Sequence, residues 1–555
     1  MSVRNGIVLL VALSTLLFLA ACGGSGTSIA TPVAPPSGAF SNSNLNGTYV
    51  FSVSGTDANG APYAMVGTFT ANGSGGNGKG SITAGTFDIN DSAVFSSPAA
   101  GVSINSSSTY SVGADGRGQA VIGTNITSGT PGQTFPNLTF DFVLTDSSHG
   151  LITEFDSFGS GSGTLDLQAA NTTPSGTYAF SLSGATPTGS SWATVGNFTV
   201  TGTTIAGLDD LNEGGLLPYA NSTLTGSLVL GPSATPATIL SIDNNGNSVL
   251  NGTFDAVAID ATHLKLIEMD TTATLSGDAF SQTSAAFPTG TLAFTMNGLS
   301  SGQLYAAGGF MSPAATGAIT GTEDYNVNGT NLSSQTAPVP FTAAYAAGGT
   351  GRYTLGSFAT FVGGTSYAAY PSSGGLLLLE TDATGITFGA AYTQTAGATL
   401  AASQGYGMNL SGVNLTGIGN GAVEVDDIAE FTTASGGNLT GIIDENYDPS
   451  GSATLGIPLT SGTYGAIDSN GRFGVAATAV SSNGNSGTLE GGFTLTAYAV
   501  DGTTFPFIES DSGQVATGVF VLQSPSASGA AIARSHMFVV RPLIVPHAAS
   551  KKKTK

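Results

Sequence analysis

Four times along this chain a Glu-x-Asp tripeptide is followed by a Gln fourteen residues after the Glu. The copies are Glu154/Asp156/Gln168, Glu268/Asp270/Gln282, Glu380/Asp382/Gln394 and Glu509/Asp511/Gln523. Ahead of each lies a second pattern, Gly-x-x-Asp-x-Asn: Gly85/Asp88/Asn90, Gly207/Asp210/Asn212, Gly321/Asp324/Asn326 and Gly441/Asp444/Asn446. A repeat this regular makes the chain one structural unit used four times in series. It also weakens any account built on a single active site.

Aligned on their first aromatic or apolar residue, the copies start at Tyr49, Tyr178, Leu292 and Tyr406, spaced by 129, 114 and 114 residues. Each opens with a short strand pattern such as Gly47-Thr-Tyr-Val-Phe51 and then carries Phe69, Phe198, Phe310 or Phe431 in a second β-rich run. A turn follows at Asp115-Gly116, Asn245-Gly246, Gly349-Thr-Gly351 or Asn470-Gly471. Asn-Gly and Asp-Gly supply the positive φ angles of tight hairpins. No stretch holds a 3.6-residue period, and 81 glycines are too many for long helices. The prediction is all-β: four tandem antiparallel units of six to eight strands, each a meander barrel. Closure into a barrel removes exposed strand edges; a two-sheet sandwich is the alternative. The units are expected at residues 45–168, 174–282, 288–394 and 401–523, with a C-terminal extension at 524–555 that ends in the basic tail Lys551–Lys555. Short connections between copies predict units in contact, in the form of a short rod.

The first residues give an address. Arg4, the apolar run Ile7–Leu19 and the small pair Ala20-Ala21 form an export signal over residues 1–21. Leu19-Ala20-Ala21-Cys22 resembles the lipobox of bacterial lipoproteins. The resemblance implies cleavage before Cys22 and lipidation of that residue, with enough acyl chains for stable membrane anchoring. It also implies the outer membrane of a two-membrane cell, because Gly23 stands where retained lipoproteins carry Asp. Cys22 is the sole cysteine, which excludes a disulfide framework within one chain. Residues 22–44 are rich in Gly, Ser, Thr and Pro and read as a flexible tether. The lipobox and, loosely, residues 45–523 resemble repeat-containing surface lipoproteins of bacteria; that resemblance implies no particular activity.

Charge narrows the partners. Residues 45–523 hold all 34 acidic residues against Lys79, Arg117, Lys265, Arg352 and Arg472, a net charge of −29. Such a body repels nucleic acid and anionic headgroups, so nucleic-acid binding is set aside.

The repeated acids are the candidate chemistry. Residues two apart on a strand share a face, so Asp88 with Asn90, and Glu154 with Asp156, point together. If the two segments are neighbours in the fold, each copy offers hard oxygen ligands suited to Ca²⁺, from Asp88, Asn90, Glu154 and Asp156 through Asp444, Asn446, Glu509 and Asp511. The competing reading makes Asp and Asn turn residues. Arg117, Arg352 and Arg472 each follow a hairpin glycine, with Asn247 in their place in copy two. This placement predicts an Arg–carboxylate pair within each unit. His149 and His263 sit five residues before the repeat Glu in two copies only, and read as turn residues. Tyr63, Trp192 and Tyr305 occupy matching places before the second strand. They could line a repeated sugar or peptide site, or a barrel rim. No phosphate-loop or zincin motif is present. The expected function is a lipid-anchored, non-catalytic binding or structural protein of the cell envelope. Its partner would be a glycan or another envelope protein. A polysaccharide-active enzyme with one functional copy is the alternative.

Overall fold

The computed structural model describes residues 33–525 except 37, 76–77, 125, 127–136, 170–172, 215–216, 233–236, 244, 330–336, 358–363, 416–422, 448–451, 480–491 and, within these bounds, no others. The lipobox, Cys22 and the basic tail lie outside the described residues. Among the described residues the regular elements are β-strands and one short 3₁₀ turn, Asn42–Asn44, joined by turns and loops.

Each unit closes on itself. The opening strand Asn46–Asp57 pairs on one side with Pro62–Asn72 and on the other with Gly159–Leu167, the last strand of its unit. Gly176–Ala185, Leu292–Ser300 and Gly405–Asn414 do the same in the next three units. The result is four closed antiparallel meander barrels of eight strands. Barrel 1 has one further strand, Ala99–Ser103, paired to Gly80–Asp91. The expected barrel therefore holds over the sandwich.

Alternation along a strand explains both layers of packing. In Asn46–Asp57 the side chains of Tyr49, Phe51 and Val53 fill the barrel interior. Val50, on the opposite face, packs with Val257, Ile259, Ile267 and Met269 of barrel 2. Barrels 2 and 3 meet through Ala193, Val195, Leu377 and Leu379, and barrels 3 and 4 through Ala306, Ile508 and Val515. Barrel 4 then meets barrel 1 through Ile428, Val519 and Val521 against Val143 and Leu151. The four barrels form a closed ring, which corrects the expected rod. A rod would leave the outer apolar faces of barrels 1 and 4 in water; the ring buries both. The ends of the described chain meet at the joint between barrels 4 and 1, where Asn44 Nδ2 donates to Pro525 O at 2.9 Å.

Candidate functional site

The repeated motifs converge on the joints, each reaching into a neighbouring barrel. The Asn of Gly-x-x-Asp-x-Asn donates its amide to backbone carbonyls around the repeat Glu of the following barrel. Asn90 Nδ2 reaches Glu268 O (2.9 Å), Asp270 O (3.1 Å) and Ala273 O (3.0 Å). Asn212 reaches Glu380 O and Gly385 O at 3.0 and 2.9 Å. Asn326 reaches Glu509 O, Asp511 O and Gln514 O. Asn446 closes the circle onto Glu154 O and Gly159 O of barrel 1, at 2.7 and 3.0 Å. The closing Gln works in the same direction. Gln168 donates to Ala258 O, Gln282 to Pro371 O, Gln394 to Ala499 O and Gln523 to Leu144 O. These amides satisfy buried carbonyls that would otherwise carry a desolvation cost.

The Asp of the same motif takes a cation from the following barrel. Arg352 grips Asp210 with two bonds, Nε to Oδ2 at 2.7 Å and Nη2 to Oδ1 at 2.5 Å. Arg472 does the same to Asp324, both bonds at 2.7 Å. Arg117 reaches Asp444 at 2.6 and 2.7 Å and also holds Asp115 of its own turn. Tyr370 and Tyr498 add a hydroxyl to Asp210 and Asp324. The arginines sit at strand starts because a glycine with positive φ precedes each: Gly116 (84°), Gly351 (68°) and Gly471 (93°). The expected pair within a unit is thus, for the repeated Asp, a pair between units.

Copy two has no such arginine for a topological reason. Its Asn245-Gly246 turn joins Ala237–Ile242 to Ser248–Asp260, one strand later in the barrel than the other three turns. At the joint of barrels 1 and 2, Asp88 accordingly meets another acid, Asp255. Burial, opposed by the Gly101 N–H and reinforced by Asp255, pushes Asp88 up to about 8. A bond between two carboxyls needs a proton on one of them.

The Glu and Asp of Glu-x-Asp part company. Asp156 accepts the amides of Thr139 and Phe158, both at 2.6 Å, and fastens the turn. Asp270, Asp382 and Asp511 hold the matching amides of Thr253, Thr365 and Thr494. The four Glu side chains are buried. Burial first and the neighbouring Asp second push Glu154 and Glu509 well up, and Glu268 up to about 9. Burial pushes Glu380 up to about 7 against the bonds from Thr384 and Thr387. The structure therefore brings Asn90 to the backbone of Glu268 and Asp270, and Asp88 to Asp255, all of the next barrel. Among the described residues no three or more His, Cys, Asp or Glu side chains form a group that could hold a metal ion.

Tyr63, Trp192 and Tyr305 do share one register position, opposite Gly55, Gly184 and Gly298. All three are buried inside their barrels. A Cβ on Gly161 would stand 2.4 Å from the Tyr63 hydroxyl, so glycine makes room for the ring. The histidines are more than turn residues: His149 contacts Asp166, and His263 contacts Asp278 at 2.8 Å. Tyr370, Tyr498 and Asp255 were not legible as joint residues, since none recurs in all four copies and each lies outside the repeated motifs.

No protein-family model and no curated protein matches the chain. Among solved structures, a mutant of transferrin binding protein B from Haemophilus parasuis aligns at 10% identity over 67% of this chain and 83% of its own, with a TM-score of 0.20. Isotype 1 transferrin binding protein B from serogroup B Neisseria meningitidis aligns at 10% identity over 68% and 84%, with a TM-score of 0.18. The likeness at these scores carries no functional argument.

Proposed function

We propose that the chain is a lipid-anchored envelope protein whose four barrels form one non-catalytic head for binding or scaffolding. The observation that supports it is where the repeated chemistry is spent. The Asp and Asn of one motif, with the Asp and Gln of the other, serve turns and joints in all four copies. Closed barrels packed face to face present binding groups already held in place by the fold, and groups held in place lose little freedom on binding a partner. The outer residues left over are largely Ser, Thr, Asn and Gly, suited to hydrogen bonding with a glycan or an envelope protein.

Two experiments test this reading. Metabolic labelling with a tagged fatty acid should mark the wild-type chain and leave Cys22→Ser unlabelled; label on neither sinks the anchor. The purified head should retain specific glycans or envelope proteins from a panel. Turnover of a polysaccharide by the head, lost on changing a single copy, would replace binding with catalysis.

A further inference from the structure

We propose that the ring opens at one place, the joint between barrels 1 and 2, while the other three joints stay shut. The four joints share one plan, which makes their differences readable position by position.

The first difference is the missing clasp. Asp210, Asp324 and Asp444 each hold an arginine of the next barrel, whereas Asp88 meets Asp255 and, among the described residues, no arginine. The tyrosines that reinforce Asp210 and Asp324 are Tyr370 and Tyr498; the matching residues are Val257 in barrel 2 and Val143 in barrel 1, so at the 4/1 joint Arg117 holds Asp444 without a tyrosine among the described residues.

The second difference lies in the packed face. The cross-strand pairs Leu151–Thr164, Leu377–Ala390 and Pro506–Val519 have Lys265–Asp278 as their counterpart in barrel 2. The pairs His263–Phe280, Gly375–Tyr392 and Thr504–Val521 have His149–Asp166 as theirs in barrel 1. Lys265 binds Asp278 at 2.5 Å, and both lie buried with His263. Burial alone would push Asp166 up, but His149, Lys265 and His263 outweigh it and hold the carboxyl well down, so charges from both barrels face each other here. A face that buries ions gains less on closing than one that buries apolar groups of the same size, because each ion gives up its hydration. The joint that lacks the clasp is thus also one where Lys265, Asp278, His149 and Asp166 stand in pairs that are largely apolar in the other barrels.

Chain connection makes the contrast sharper. Barrels 1 and 2 are joined by the short connection after Gln168, which keeps them close whether or not the faces touch. Barrels 4 and 1 have no such connection, and there Asp426 gathers Ser160, Ser162 and Ser411 in addition to the Arg117 clasp. When the seam parts, it uncovers Val50, Ala64 and Val66 on one side and Val257, Ile259 and Ile267 on the other.

Thiol labelling of the mature chain tests this. Cys22→Ser removes the sole natural thiol. Val66, Val195 and Ile428 are equivalent buried positions, each paired to the repeated Asp, at the 1/2, 2/3 and 4/1 joints. With a maleimide at one pH, the Val66→Cys thiol should react at least tenfold faster than those of Val195→Cys and Ile428→Cys, each scaled to its rate in urea. Ile267→Cys against Leu379→Cys and Ile508→Cys repeats the comparison from the opposite face and serves if the first set folds poorly. Asp255→Asn, whose amide can donate to an ionised Asp88, should slow the Val66→Cys reaction at least threefold. Equal rates at all joints, fastest labelling at the 4/1 joint, or no effect of Asp255→Asn would each overturn the proposal.

Discussion

Arg117→Met is the substitution that weighs the ring most directly. Arg117 and Asp444 belong to barrels 1 and 4, their side chains are 7% and 5% exposed, and two bonds of 2.7 and 2.6 Å join them. After the change Asp444 stays buried and keeps the Gly456 amide at 2.6 Å as a donor, and Asp115 loses its guanidinium as well. Removing one member of a buried pair costs about 3–5 kcal/mol, since the other charge is left without compensation. The same pair on an exposed surface is worth about 0.2–1 kcal/mol. The rod and the ring therefore predict losses that differ several-fold. Urea unfolding of Arg117→Met, Asp444→Asn and the double variant gives the cycle; the double variant should recover part of the loss because its amide leaves no buried charge. A single-variant loss below about 1 kcal/mol, with no coupling to Asp444, would refute the closed 4/1 joint.

Other outcomes follow from the same geometry. Ser162 and Ser411 both donate to Asp426 Oδ1, at 2.5 and 2.6 Å, from barrels 1 and 4; in the Cys22→Ser chain, Ser162→Cys with Ser411→Cys should form a disulfide on mild oxidation, seen as a gel shift reversed by reductant. Asn326→Ala removes a side chain that donates to three buried carbonyls, and should cost about 1–3 kcal/mol, against less than about 0.5 for a surface change, read by urea unfolding. Stability should fall as pH rises from 6 to 9.5. Glu268 stands at about 9, Asp88 and Glu430 at about 8, and Asp91, Asp209 and Glu380 at about 7 in the fold. All lie above the unfolded value of about 4. The native state thus keeps protons that the unfolded chain has lost, so their contribution is full below about pH 4 and is lost through pH 7–9; a Tm that is flat or rising over that range contradicts it. Millimolar Ca²⁺ against EDTA should leave Tm unchanged, because the repeated Asp and Asn side chains are already engaged across the joints; a rise abolished by Asp324→Asn with Glu380→Gln would favour metal ligation instead.

Much of the fold was legible because strand sequences announce themselves locally. Period-two alternation, aromatic starts such as Tyr49 and Tyr178, and Asp-Gly or Asn-Gly turns all act within a few residues. The ring was not legible, since Asn90, Asn212, Asn326 and Asn446 bond to backbone carbonyls, which leave no mark in a sequence. Strict repetition also hid the direction of pairing. When three of the four copies carry both Asp and Arg, spacing alone cannot tell Arg352–Asp210 from a pair within one copy. Asn245-Gly246 shows the limit from the other side: a clear turn signal with nothing in it to reveal that it lies one strand late.

Each barrel meets its neighbours through two different faces, so the joint is head-to-tail rather than self-matching. A head-to-tail contact that returns to its start after four steps is the geometry of a cyclic tetramer. One barrel given the consensus Asp, Asn, Gln and Arg would carry both halves of the contact and could close with three copies of itself about a fourfold axis. Seen this way the chain is a fused tetramer. Fusion freed individual faces to diverge, and copies one and two have used that freedom where Asp166 and Lys265 stand in place of apolar residues.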